Sequence, residues 1–228
     1  MEIIEGIHRV DEASANMAHA NVYLVINGKE LTVIDTGTPG NAQKTVKYIQ
    51  KLGYQPTDVK TIILTHSHMD HMGSAKELKD LTNAKVAVHT EDAGYVSGAK
   101  AMPKPKNILY RAVSSFVKPA PIQVDIILKE GDKIANLLVI HTPGHTPGSI
   151  MLLDEKRKVL FSSNTLQYDG KKVSGAPEQL SADLKEVRES IAKASTLNFD
   201  IMLPGHGETL KPNASEEIKK FNESLKQK

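Results

Sequence analysis

Val59-Lys60-Thr61-Ile62-Ile63-Leu64-Thr65-His66-Ser67-His68-Met69-Asp70-His71-Met72-Gly73 changes character within a few residues. Its first six positions are a short, nearly continuous apolar run, the pattern of a buried strand. The stretch from His66 to His71 then holds three histidines and an aspartate. The strand is expected to end at Leu64, so these polar residues lie beyond its carboxyl end, where α/β folds place their chemistry. Residues i and i+2 of an extended segment project to the same side, so His66 and His68 can share one ion. After a tight turn, Asp70 and His71 can face a second ion. Imidazole and carboxylate suit zinc, iron or manganese, and two such ions about 3.5–4 Å apart form a hydrolytic pair. The chain has no cysteine, so nitrogen and oxygen must supply every ligand.

Upstream, the pattern is one of short strands and turns. Glu2–Val10, Ala20–Ile26 and Leu31–Asp35 read as strands, with Asn27-Gly28 a turn signal between the last two. Ala42, Val46 and Ile49 recur at helical spacing, and Gly53 marks the end of that helix. Downstream, a short helix is expected at Ser74–Leu81 and a strand at Lys85–His89. Glu91–Pro121 contains four prolines and several basic residues, and is expected to form a partly helical lid. Strands return at Val124–Leu128, Leu137–His141, Ser149–Leu153 and Val159–Phe161, and Tyr168-Asp169-Gly170-Lys171-Lys172 reads as a hairpin turn. Leu184, Val187, Ile191 and Ala194 share one face of a helix at Ser181–Leu197. The strand Asp200–Leu203 runs into Pro204-Gly205-His206-Gly207, and Asn213 with Glu216 gives the last helix a capping-box signature. Strands and helices alternate with no long linker, so one α/β domain over residues 1–228 is expected.

Composition narrows the function. With 228 residues, 39% hydrophobic and 25% charged, the chain can bury a sizeable core. A formal charge of +2 lacks the basic footprint of a dedicated nucleic-acid binder. The N-terminal MEIIEGIHRV has no signal-peptide apolar core, and no stretch has the length of an uninterrupted membrane span. The expectation is a cytoplasmic protein with a small-molecule substrate and neither nucleic acid nor membrane as partner.

His66-Ser67-His68-Met69-Asp70-His71 resembles the H-x-H-x-D-H signature of the metallo-β-lactamase superfamily, and further motifs follow in the family's order. Leu31–Gly37 (LTVIDTG) resembles the early strand whose aspartate, here Asp35, supports the metal loop from behind. Thr142-Pro143-Gly144-His145-Thr146 resembles the loop with the third histidine of the first metal site. Pro204-Gly205-His206-Gly207 resembles the late loop with the histidine of the second. The resemblance implies a four-layer αββα sandwich. It also implies one ion held by His66, His68 and His145, and another held by Asp70, His71 and His206. Zinc is the expected metal, one ion or two, with iron or manganese as alternatives.

One position departs from the pattern. Phe161-Ser162-Ser163-Asn164-Thr165-Leu166 resembles the segment in which an aspartate bridges both metals, yet Asn164 stands in its place. A carboxylate offers two anionic oxygens, whereas an amide offers one neutral carbonyl oxygen and an NH₂ that repels a cation. The second ion is therefore expected to bind more weakly. A natural asparagine and a deliberate substitution both fit the sequence.

The resemblance implies a metal-dependent hydrolase that uses a metal-bound hydroxide on a small ester, thioester, lactone or phosphodiester. Asp70 would act as the catalytic group that orients the nucleophile and relays its proton. The alternative is a non-catalytic or impaired metal- or ligand-binding member, with Asn164 marking the degenerate bridging position. About twenty residues follow His206, too few for the helical substrate domain of glyoxalase II enzymes. The iron persulfide dioxygenases use the aspartate that Asn164 replaces. Tyr168 is a candidate for the substrate pocket. His141 and His89 are expected to pack at strand ends, and Lys104, Lys106 and Arg111 to form a solvated charged face.

Overall fold

A computed structural model describes residues 1–10, 19–101 and 120–227. They fall into two compact units, the first running to Leu128 and the second starting at Lys129.

The first unit is built on a seven-stranded sheet whose strands follow chain order. These are β1 (Glu2–Ile4), β2 (Ile7–Arg9), β3 (Tyr23–Asn27), β4 (Glu30–Ile34), β5 (Val59–Leu64), β6 (Lys85–His89) and β7 (Ile126–Leu128). The first four pair antiparallel, and from β4 onward every pair is parallel. The connections explain the switch. A two-residue turn at Gly28-Lys29 can only join antiparallel neighbours, whereas parallel strands need a crossover. Helix α1 (Ala42–Lys51) supplies one between β4 and β5. The short α2 (Met69–Met72) and α3 (Ala75–Thr82) supply the next, and α4 (Thr90–Val96) follows β6. Helix α1 buries Ala42, Val46 and Ile49, and α3 buries Ala75 and Leu78. They share one apolar cluster with Leu24, Val33, Ile62, Leu64 and Val88. Ile62, Ile63 and Leu64 are all fully buried, as a strand covered on both faces requires.

The second unit holds a five-stranded sheet of β8 (Lys133–Ile134), β9 (Leu137–His141), β10 (Ile150–Asp154), β11 (Val159–Ser163) and β14 (Ile201–Pro204). Its order is β14-β11-β10-β9-β8, with β11 and β14 parallel. A separate ribbon pairs β12 (Leu166–Tyr168) with β13 (Val173–Gly175). Helices α5 (Leu184–Ala194) and α6 (Ala214–Lys226) bury Val187, Ile191 and Ile218. These side chains share a cluster with Met151, Leu160, Phe199 and Met202. Each unit is one sheet with its helices, so the chain carries the two sheets and two sets of helices of the expected αββα plan.

Several elements differ from their expected limits, each for a local reason. Glu2–Val10 is a hairpin rather than one strand, because Gly6 at φ 73° turns the chain between β1 and β2. The next turn falls at Gly28-Lys29, one residue later than expected, so that Asn27 pairs with Glu30. Helix α5 starts at Leu184 rather than Ser181, because the Asp183 carboxylate accepts the N–H groups of Lys185 and Glu186 and sets the cap. The capping box at Asn213 does not form. That residue sits at φ 62°, and its side chain makes no cap hydrogen bond. The expected Val124–Leu128 strand begins only at Ile126, and the two-residue β8 was not expected at all. Of the expected lid, α4 is described, whereas residues 102–119, with Lys104, Lys106 and Arg111, lie outside the described residues. Among the described residues, no helix is long and apolar enough to cross a membrane.

Candidate metal centre

In the first unit, two buried carboxylates hold the loop that leaves β5. Asp35, 2% exposed at the end of β4, accepts the Thr65 N–H on Oδ1 at 2.8 Å. Its Oδ2 accepts the Thr65 hydroxyl and His71 Nδ1–H, each at 2.8 Å. Asp92, fully buried on α4, accepts the Ser67 N–H on Oδ2 at 2.8 Å. Thr36 donates to the His71 carbonyl from its N–H at 2.7 Å and from its hydroxyl at 2.8 Å. The loop is thus fixed before, between and after its histidines.

Those hydrogen bonds also fix protons. Thr65 commits its hydroxyl proton to Asp35, so at 3.1 Å it can only accept from Nδ1 of His66. His71 likewise gives its Nδ1 proton to Asp35. In both rings Nε2 is left with the lone pair that coordinates a metal. The His66 ring centroid lies 4.9 Å from that of His68 and 4.0 Å from that of His71. Asp70, in the first turn of α2, places Oδ2 3.6 Å from His71 Nε2. The structure therefore gathers all four candidates of the motif.

In the second unit, the loop between β9 and β10 seats itself on the start of α5. Gly144 has φ 121°, and a Cβ there would stand 2.3 Å from the Val187 nitrogen. Only glycine permits that approach. The carbonyls of Gly144 and His145 accept the N–H groups of Asp183 (2.9 Å) and Ala182 (3.2 Å), and the Pro143 carbonyl accepts the Ser190 hydroxyl (2.8 Å). His145, 2% exposed, has Nδ1 3.4 Å from Ser181 Oγ and Nε2 3.2 Å from Asn164 Nδ2. Asn164 follows Ser163, a residue held at φ 53° at the end of β11. Its Oδ1 is buried and has no hydrogen-bond partner among the described residues. The Ser163 carbonyl accepts the Gly205 N–H at 2.6 Å, which ties β11 to the loop carrying the buried His206.

The remaining candidates make contacts of their own. Tyr168 packs its ring against the apolar cluster of the second unit, and its carbonyl accepts the Glu208 N–H at 2.7 Å. His141 pairs Nε2 with the Pro147 carbonyl at 2.8 Å, and His89 caps α4 through the Glu91 N–H. Asp92, Thr65 and Ser181 escaped the sequence reading. Each acts through a few hydrogen bonds that leave no periodic or motif-like trace.

In the first unit His66, His68, Asp70 and His71 offer imidazole and carboxylate donors, and in the second His145 and His206 offer imidazoles, all side-chain types that can hold a metal ion. Imidazoles with one carboxylate are a donor set that fits a divalent ion, and in the second unit the buried Asn164 Oδ1, close to His145 through its own amide, adds a carbonyl oxygen.

Residues 16–206 match the family model of the metallo-beta-lactamase superfamily. The chain is 28% identical to the probable metallo-hydrolase YflN of Bacillus subtilis (strain 168), a match covering 90% of this chain and 85% of that one. It is 29% identical to the acyl-coenzyme A thioesterase MBLAC2 of Homo sapiens, over 83% of this chain and 74% of that one. Among solved structures it resembles TTHA1623 in a di-iron-bound form, at 28% identity and a TM-score of 0.68. That likeness covers 84% of this chain and 89% of the other. With its motifs in the family's order and a family match across most of its length, the chain belongs to the metallo-β-lactamase superfamily.

Proposed function

We propose that this protein is a metal-dependent hydrolase of small thioesters and esters. The observation that carries the reading is the pair of histidines, His66 and His71, whose Nδ1 protons are committed to neighbours, so that Nε2 is the ring atom with the lone pair an ion would take. His66, His68 and His145 would hold the first ion, and Asp70, His71 and His206 the second, with zinc the first choice and iron or manganese the alternatives. A bound ion supplies Lewis acidity and lowers the pKa of a bound water towards neutrality. Asp70 takes the proton of the attacking water and returns it to the leaving group, so that the thiol or alcohol departs neutral. Asp35 and Asp92 hold the loop in place and accept hydrogen bonds throughout. The name of the thioesterase MBLAC2 supports a thioester substrate, and Tyr168 is the proposed pocket wall. A cytoplasmic location and a small-molecule partner belong to the same reading.

A second reading, a metal-binding member with impaired turnover, is favoured by one contact. Asn164 turns an N–H donor, rather than a carboxylate, towards His145. The two readings separate in one set of measurements. Purified protein and its H68A variant are loaded with zinc or manganese, analysed for bound metal and assayed on thioester, ester, lactone and phosphodiester panels. We expect at least one ion per chain in the parent, a sharp loss of metal in H68A, and thioester turnover above the rest. Unchanged metal in H68A would overturn the ligand set. A fully loaded parent that turns over nothing would establish the second reading.

A further inference from the structure

We infer that Ser181 is a positioning residue that selects the tautomer of His145, holding its proton on Nδ1 and its lone pair on Nε2. The inference deepens the metal-site reading above, although the tautomer itself is a property of the metal-free chain. The three side chains it needs lie in the second unit and are at most 5% exposed: Ser181 at 4%, His145 at 2% and Asn164 at 5%.

The Ser181 hydroxyl has a single proton, which it donates to the Pro177 carbonyl at 2.8 Å. With that proton committed, Oγ turns only lone pairs towards His145 Nδ1, 3.4 Å away. A deprotonated Nδ1 would set lone pair against lone pair in a buried place, where an unmade hydrogen bond is costly. On the other side of the ring, Asn164 Nδ2 is a donor and stands 3.2 Å from Nε2. A proton on Nε2 would therefore face another donor. Two neighbours on opposite edges of the ring demand the same tautomer. They reach it from separate elements, Ser181 from the segment before α5 and Asn164 from the end of β11.

The selection matters because a histidine left to itself carries its proton mainly on Nε2. His145 in that form would have to move the proton before it could coordinate through Nε2. Partners that orient ligand histidines typically change metal affinity by about 10–100-fold. An ion on Nε2 would face the Asn164 NH₂, an unfavourable contact, whereas the Ser181 contact lies on the other edge of the ring. Ser181 is thus the partner whose contact an ion on Nε2 would leave in place.

The test uses the full chain with S181A and S181T. Nitrogen-15 spectra of histidine-labelled, metal-free protein report which ring nitrogen of His145 is protonated. Competition against a chromophoric chelator reports zinc affinity. We expect Nδ1–H in the parent and in S181T. We expect a shift towards Nε2–H in S181A, together with a fall in zinc affinity of about 10–100-fold that S181T restores to within about threefold. An S181A protein that keeps both Nδ1–H and parental affinity would overturn the inference. So would an S181T protein that behaves like S181A, since the site would then need the small side chain rather than the hydroxyl. If the parent itself binds no zinc, the ligand assignment fails, and the nitrogen-15 result alone still decides the role of Ser181.

Discussion

Asp35 and Ser163 hold left-handed backbone, at φ 57° and 53°, at the ends of β4 and β11. Such conformations in residues other than glycine cost of order 1–3 kcal/mol and gather where a side chain must be aimed. Asp35 aims a carboxylate at three donors. Asp35→Asn keeps the shape, yet one of its oxygens becomes an NH₂ that cannot accept from Thr65 or His71. We expect D35N to lower zinc affinity by about 10–100-fold, read by chelator competition. Parental affinity would show that the carboxylate only fills space. Gly144 poses a steric question instead. Its Cβ position lies 2.3 Å from the Val187 nitrogen and 2.8 Å from the Asp183 carbonyl, so Gly144→Ala must push the His145 loop off α5. Chemical denaturation should show a loss of roughly 3 kcal/mol, and a loss below about 1 kcal/mol would mean that the loop yields freely. Asp35 was legible in the sequence because a carboxylate that ends an apolar strand needs partners. Asp92 and Ser181 were not, because a single hydrogen bond to a distant loop sets no pattern.

At the level of elements, apolar runs were legible and polar seams were not. Val59–Leu64, Lys85–His89 and Leu137–His141 form strands with the limits their side-chain pattern suggests. The start of α5 moved because capping by Asp183 outweighed the apolar period, and Asn213 failed as a side-chain cap because its backbone is left-handed. The late start of β7 has a comparable origin. Asp125 Oδ2 accepts the Val86 N–H at 2.8 Å and also receives the Lys79 ammonium, joining α3, β6 and the chain before β7. Burial pushes the Asp125 carboxyl up. Hydrogen bonds from Lys79 and Val86, with the charges of Lys79 and Lys85, outweigh burial and hold it below its ordinary range. A carboxyl depressed in the folded state stabilises above its unfolded pKa, and that contribution disappears as pH falls through the folded value. Asp125→Asn should therefore destabilise the protein at pH 7 by about 1–3 kcal/mol and remove part of its acid sensitivity below pH 4 or so. Melting curves that run parallel for parent and variant between pH 7 and pH 3 would refute this role.

For the whole molecule, the question is how the proposed ligands, which lie in separate segments of the sequence, could be foreseen. His66, His68, Asp70 and His71 announce themselves because they are adjacent in sequence. His145 and His206 were named only through the family motif, since nothing in their local spacing points to a shared ion. Asn164 is where the motif breaks, and its surroundings define what the break does. Its Nδ2 serves His145 Nε2, and its buried Oδ1 serves no described group. N164D reverses both terms. The carboxylate withdraws the donor from His145 and places a negative charge in a position only 5% exposed, which destabilises the metal-free chain. An arriving dication repays that penalty by coordinating an anionic oxygen where the parent offers a neutral one. The substitution should thus move stability in opposite directions in the two states. We expect the melting temperature of metal-free N164D to fall below that of the parent. With excess zinc its rise should exceed the parent's, and bound metal should approach two ions per chain. Zinc titrations followed by elemental analysis and by melting test both halves. If metal-free N164D melts with the parent and both forms hold the same number of ions, Asn164 is neither a brake on metal loading nor a cap on His145.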